Sequence, residues 1–155
     1  MWTQILLWLF VVNIGVAFGA GLYEARVVLP QWWHLPPAEW PNTGLLFWVY
    51  VTTVPLTLLI ILNALVAYRR QGPARRWHLS AVGVAVAERT ATFSYFIPTM
   101  VTLMGTGDPS ASDVGATFSQ WMLMNLGRHA LTLAAWLLAL KALSLSGSGG
   151  VGAHL

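Results

Sequence analysis

The chain contains no cysteine among its 155 residues. That absence excludes a disulfide framework, thiolate nucleophiles and any cysteine-ligated metal or iron–sulfur cluster. Charge is nearly as scarce, with 8% of residues charged and only five of them acidic. A soluble domain carries about 25% charged residues, so the ordinary water-facing surface is excluded as well. The formal net charge of +3 does not read as a nucleic-acid footprint, because one arginine-rich loop supplies most of it. What is present is apolar: 57% hydrophobic residues, a mean hydropathy of +0.65 and nine tryptophans. This is the composition of an integral membrane protein.

Crossing about 30 Å of hydrocarbon takes about 20 helical residues. Runs of that length extend from Thr3 to Tyr23, Leu45 to Tyr68, Leu79 to Met104 and Thr117 to Leu143. In lipid every backbone group is satisfied within its own segment, so each run predicts a helix. The expected fold is an all-α bundle of four transmembrane helices over residues 1–143, followed by a flexible Gly/Ser-rich tail over residues 144–155. Met1-Trp-Thr-Gln lacks a basic lead-in, which predicts a retained first span rather than a cleaved signal.

Arg69-Arg-Gln-Gly-Pro-Ala-Arg-Arg76 places its loop in the cytoplasm by the positive-inside rule. Both termini are then cytoplasmic, as Lys141 near the last span agrees, and the expected location is a bacterial plasma membrane. The opposite loops carry Glu24, Arg26, Glu39, Asp108 and Asp113. The first of them, Arg26 to Pro41, holds three Trp and four Pro. Proline prevents a long regular helix there and tryptophan favours the headgroup region, so a structured loop on the outer interface is expected, as an anchor or a lid.

Span one contains Gly15-Val-Ala-Phe-Gly19, a spacing that admits close helix packing, here expected within the chain. Span two reads mostly as wall, with Pro55 kinking it. Span three breaks its apolar run with Glu88 and Arg89, and span four with Asn125-Leu-Gly-Arg-His129. Ionisable groups at such depth are costly, face the protein interior and are functional candidates. Glu88, Thr92, Tyr95 and Thr99 follow one helical stripe, and Trp121, Asn125, Arg128, His129 and Thr132 another. By helical rise, Glu88 lies roughly 13 Å from the inner start of its span and Arg128 roughly 16 Å from the outer start. Tyr50, Tyr95, Trp121 and Glu24 fall in the outer third. The pattern predicts a pocket opening outward, with Tyr50, Tyr95, Trp121 and Asn125 as substrate contacts above an ionic floor.

Two readings of the charges follow. In a structural one, Glu88 pairs with Arg89 or Arg128 and fixes how spans three and four dock; the remaining cation is balanced by Glu24 or an anionic ligand. In an enzymatic one, Glu24 or His129 abstracts a proton, since apolar surroundings bring a carboxylate nearer to a useful base. Arg89 or Arg128 then holds the enolate or phenolate, fixed charge in a dry site being effective there. Glu88, held by arginine, suits recognition better than proton abstraction. His34, His78, His129 and His154 lie in separate regions, so no metal site and no cofactor are expected. A lone His129 site, with Glu88 or as an axial haem ligand, stays open. No internal repeat supports a transporter.

Gly21-Leu-Tyr-Glu24 followed by Pro30, then Glu88-Arg89 with Tyr95-Phe-Ile-Pro98, and Trp121 with Asn125 and Arg128 resemble the anthrone-oxygenase-like family of small four-span membrane proteins. The resemblance covers most of the chain, although the Trp-rich first loop has no match in it. It implies a membrane oxygenase that oxidises an electron-rich polycyclic phenol with molecular oxygen, without a dedicated metal or flavin. The leading expectation is an intramembrane enzyme on an aromatic or terpenoid-like molecule. The alternative is a non-catalytic membrane subunit or lipophilic-ligand carrier. Expected partners are a hydrophobic small molecule and membrane lipid, with no nucleic acid; self-association is allowed.

Overall fold

The computed structural model describes residues 2–41, 44–105 and 112–147. Helix dominates them, and no strand occurs among the described residues. Four long helices result: α1 (Trp2–Trp32), α2 (Leu45–Arg69), α3 (residues 74–105) and α4 (Ser112–Gly147). By length and composition, α1, α2 and most of α4 are able to cross a membrane. α3 is equally long, but Arg75, Arg76, Glu88 and Arg89 lower its hydropathy. α4 continues to Gly147, into the Gly/Ser-rich segment. The rest of that tail with His154, and Asp108 in the loop before α4, lie outside the described residues.

Three of the helices widen locally into π-helical turns, over Glu24–Val28, Trp48–Thr53 and Thr92–Phe96. In each, an N–H bonds five residues back: Leu29 to the Glu24 carbonyl, Val54 to Val49, Ile97 to Thr92. Each turn ends two residues before a proline, Pro30, Pro55 or Pro98. A proline ring lacks an N–H and collides with the carbonyl four residues back. A widened turn displaces that carbonyl without breaking the helix, and this is the form the kink expected at Pro55 takes.

The helices form a ring in which α1 touches α2 and α4, and α3 touches α2 and α4, with the α3–α4 interface the most extensive. Neighbours run antiparallel, since partner numbers rise on one helix as they fall on the next. Asn63 of α2 reaches the Leu6 carbonyl while Asn13 reaches that of Val51. The α3–α4 seam is tight because Ala81 and Ala85 face Ala135, Ala139 and Ala142 in one buried cluster, small residues being what lets two helices approach.

Along the bundle the interior is layered. At the arginine-loop end, Leu7, Phe10, Ile14, Leu56, Ile60 and Val82 join that alanine seam in one apolar cluster. At the other end, Leu29, Trp32, Trp40, Phe96, Phe118 and Trp121 form a second, aromatic one. Between them lies a polar layer holding the buried Glu88, Thr92, Asn125, His129 and Thr132.

The Trp/Pro-rich loop is ordered by its own contacts. Trp40 donates its indole N–H to the carbonyls of Trp32 and Leu35, each at 3.1 Å. Trp40 stacks on Trp32 at 5.1 Å and meets Phe118 at 4.8 Å. The loop thereby seats its indoles in the aromatic cluster.

Candidate functional site

The polar layer is built from all four helices. Glu88, 3% exposed, accepts three hydrogen bonds. Arg89 supplies two, from Nε at 2.6 Å and Nη2 at 2.8 Å, and the Thr92 hydroxyl one at 2.9 Å. This fork-to-fork geometry is the strong form of a charged hydrogen bond. All three groups belong to α3, so the pair joins no two helices.

On α4, Arg128 donates from Nε to Asn125 Oδ1 at 2.8 Å, and its guanidinium lies 5.0 Å from the centroid of the Phe96 ring. It is within electrostatic reach of Glu88, Glu24 and Arg89. Trp121, one turn before Asn125, donates to the Phe96 carbonyl at 3.0 Å and pins α4 to the wide turn of α3. On α1, Glu24 opens the first wide turn, with the Trp48 indole of α2 near its carboxylate. His129 is buried on Gly21: a methyl group there would come within 2.6 Å of its Cε1.

The layer holds two carboxylates, Glu24 and Glu88, and two guanidinium groups, Arg89 and Arg128. Its charge balances without a ligand. Its hydrogen bonding does not: Arg89 Nη1, Asn125 Nδ2 and His129 Nε2 are buried with no partner. Buried polar groups are nearly always paired with protein or water, so three orphans at one level mark a place for a further molecule.

The structure thus brings together Glu24, Glu88, Arg89, Asn125, Arg128 and His129. Tyr95 and Trp121 stand beside them, each edge-to-face with Phe96. Tyr50 is not among them; it is 69% exposed on the outer surface of α2. The space expected to open outward above the charges is filled by the aromatic cluster and its tryptophan cap. Among the described residues no three His, Asp or Glu side chains converge as a metal shell.

Two features escaped the sequence reading. Trp48 was not singled out as a neighbour of Glu24. Asn63, on the helix read as wall, donates to the Leu6 and Leu59 carbonyls and meets His78 Nε2 at 2.9 Å, tying α1, α2 and α3 together. The signal available for the second was an asparagine and a histidine on spans joined by a short loop. Span two otherwise behaves as expected, with Thr52 and Thr57 bonding back to the Trp48 and Thr53 carbonyls.

No protein-family model, curated protein or solved structure matches the chain. The resemblance to the anthrone-oxygenase-like family therefore stands on its residues alone. Of those, Glu24, Glu88, Arg89, Asn125 and Arg128 share the polar layer.

Proposed function

We propose that this protein is an integral membrane enzyme in which all four helices cross the bilayer, with the Arg69 to Arg76 loop and both termini cytoplasmic. In this reading it deprotonates a neutral, weakly acidic lipophilic molecule, aromatic or terpenoid-like, in the central layer. α3 qualifies as the fourth crossing because its outer surface is apolar, with Val86, Phe93, Ile97 and Val101 exposed while Glu88 is buried.

The observation that carries the reading is the balanced cluster with orphaned polar atoms. A layer without net charge has little pull on an anion. It does suit a neutral acid: a proton passes from the substrate to the Glu24 carboxylate, and the bonding electrons stay on the substrate. Arg128, until then shared with Glu24, stabilises the new anion, and the charge of the layer is unchanged. His129 Nε2 is the second candidate acceptor, and Arg89 stays committed to Glu88. If the chemistry is that implied by the resemblance, the carbanion reduces molecular oxygen, and a ring methylene becomes a ketone with water as the other product.

The test is oxygen uptake and quinone absorbance with anthrone as probe, in vesicles carrying the protein, against protein-free vesicles. Glu24→Gln is expected to lower the rate by about 100-fold or more, the size of a lost general base, while folded yield persists. No acceleration by the wild type, or full activity in both Glu24→Gln and His129→Ala, overturns the reading. The same charge balance favours a second reading, a carrier or non-catalytic subunit, since a closed cluster needs no substrate. Under that reading Glu24→Gln lowers folded yield and there is no turnover to lose.

A further inference from the structure

The end of the bundle at the Arg69 to Arg76 loop carries charge of one sign. Arg69, Arg70, Arg75 and Arg76 stand there, with Lys141 on the nearby part of α4. Every described acidic side chain lies elsewhere: Glu24 and Glu88 in the polar layer, Glu39 and Asp113 towards the opposite end.

A groove of about 290 Å³ runs into this end between the start of α1 and the finish of α2, lined by Thr3, Leu65, Val66, Arg69 and Arg70. Leu65 is more than half exposed and lies one helical turn deeper along α2 than Arg69. The groove is therefore apolar along its length and cationic at its mouth. Arg70 is half-buried and donates from Nη2 to Ser146 Oγ, which ties the end of α2 to α4. Arg69 is exposed, and among the described residues its guanidinium has no hydrogen bond or ion pair. Trp2 and Tyr68, beside Thr3 and Arg69 in the chain, are about three-quarters exposed. Such rings are enriched at the headgroup level of a bilayer, which is then the level of the two guanidinium groups.

We propose that this groove holds one anionic phospholipid, its phosphate between Arg69 and Arg70 and the upper part of an acyl chain along Leu65 and Val66. A guanidinium matches phosphate in a planar, two-point geometry, and no carboxylate competes for these two. A zwitterionic lipid fits worse because its own cation comes up against the same arginines. A soluble phosphate fits worse because it leaves Leu65 and Val66 uncovered. Once seated, the lipid links the ends of α1 and α2 and, through Arg70, that of α4. The site lies at the end of the bundle, apart from the polar layer, and stands whether or not Glu24 acts as a base.

The experiment releases the full chain from detergent micelles into a native mass spectrometer, with phosphatidylglycerol or phosphatidylcholine of identical acyl chains present. One phosphatidylglycerol per chain is expected to stay bound, and phosphatidylcholine to be retained at least about tenfold less. Arg69→Gln lowers retention of phosphatidylglycerol about fivefold, the worth of one arginine near an anionic headgroup. Leu65→Trp fills the groove and abolishes retention. Arg75→Gln/Arg76→Gln removes two charges from the same loop and leaves retention unchanged. Glu24→Gln also leaves it unchanged, which separates this site from the proposed reaction.

Equal losses in Arg69→Gln and Arg75→Gln/Arg76→Gln indicate a diffuse surface potential and overturn the proposal. Equal retention of the two lipids overturns it as well. Displacement of the lipid by glycerol 3-phosphate assigns the arginines to a soluble anion and has the same force. Arg69 and Leu65 are both exposed, so neither variant removes a buried contact; full retention in both sinks the idea.

Discussion

The contact between Gly21 and His129 shows how closely α1 and α4 approach at the polar layer. A Cβ at Gly21 would lie 2.6 Å from the imidazole, whereas one at Gly19 meets nothing within 4 Å. Gly21→Ala is expected to destabilise by about 1–3 kcal/mol, the usual cost of overpacking, and Gly19→Ala to be neutral. His129→Ala in the Gly21→Ala background recovers most of the loss. Thermal unfolding in detergent reads all three. The sequence pointed to Gly15 and Gly19 as a packing pair, but only Gly15 is covered, by Trp136. Spacing reports which residues share a helix face and cannot report what stands opposite. Glu88 gives a second prediction at this scale. Replacing it with Gln leaves the buried Arg89 charge uncompensated, a change worth about 3–5 kcal/mol. Glu88→Gln/Arg89→Gln is expected to cost less than Glu88→Gln alone, measured as folded yield and unfolding midpoint.

At the scale of the element, the wide turns show proline effects being met by neighbouring helices. Pro55 leaves the Val51 carbonyl without its usual partner four residues on, and Asn13 of α1 donates to that carbonyl at 2.9 Å. Asn13→Ala is expected to cost about 0.5–1.5 kcal/mol, the usual net worth of one hydrogen bond. In a Pro55→Ala background, where residue 55 has an N–H of its own, the same change costs less. A double-mutant cycle on unfolding midpoints checks this coupling. The prolines themselves were legible, and so was a disturbance at Pro55. That α1 would supply the compensating donor was not, because it depends on which helices become neighbours. The stripes of α3 and α4 were legible for the opposite reason: with 3.6 residues per turn, Glu88 and Thr92 fall together whatever packs against them.

For the whole molecule, the helical class and its long apolar segments followed from composition, because few charges and long apolar runs leave no other way to satisfy the backbone in lipid. The filled interior did not follow: depth counting located Trp121 and Tyr95 but left open the positions of Trp32, at the end of α1, and Trp40, which folds back from the loop after it. The absence of native cysteine makes the proposed orientation simple to measure, since any introduced thiol is unique. Gln71→Cys is expected to react with an impermeant maleimide only from the cytoplasmic side and Leu35→Cys only from the other; reversed accessibility would invert the topology. The ring order has a further consequence, in time rather than in space. α1 closes the bundle against α4, which is made after the other three. In the proposed membrane setting Glu24 is synthesised about 100 residues before Arg128, a delay of about 5–20 s at ordinary rates of translation. Throughout that interval the carboxylate lacks the α4 counter-charge that the assembled layer supplies.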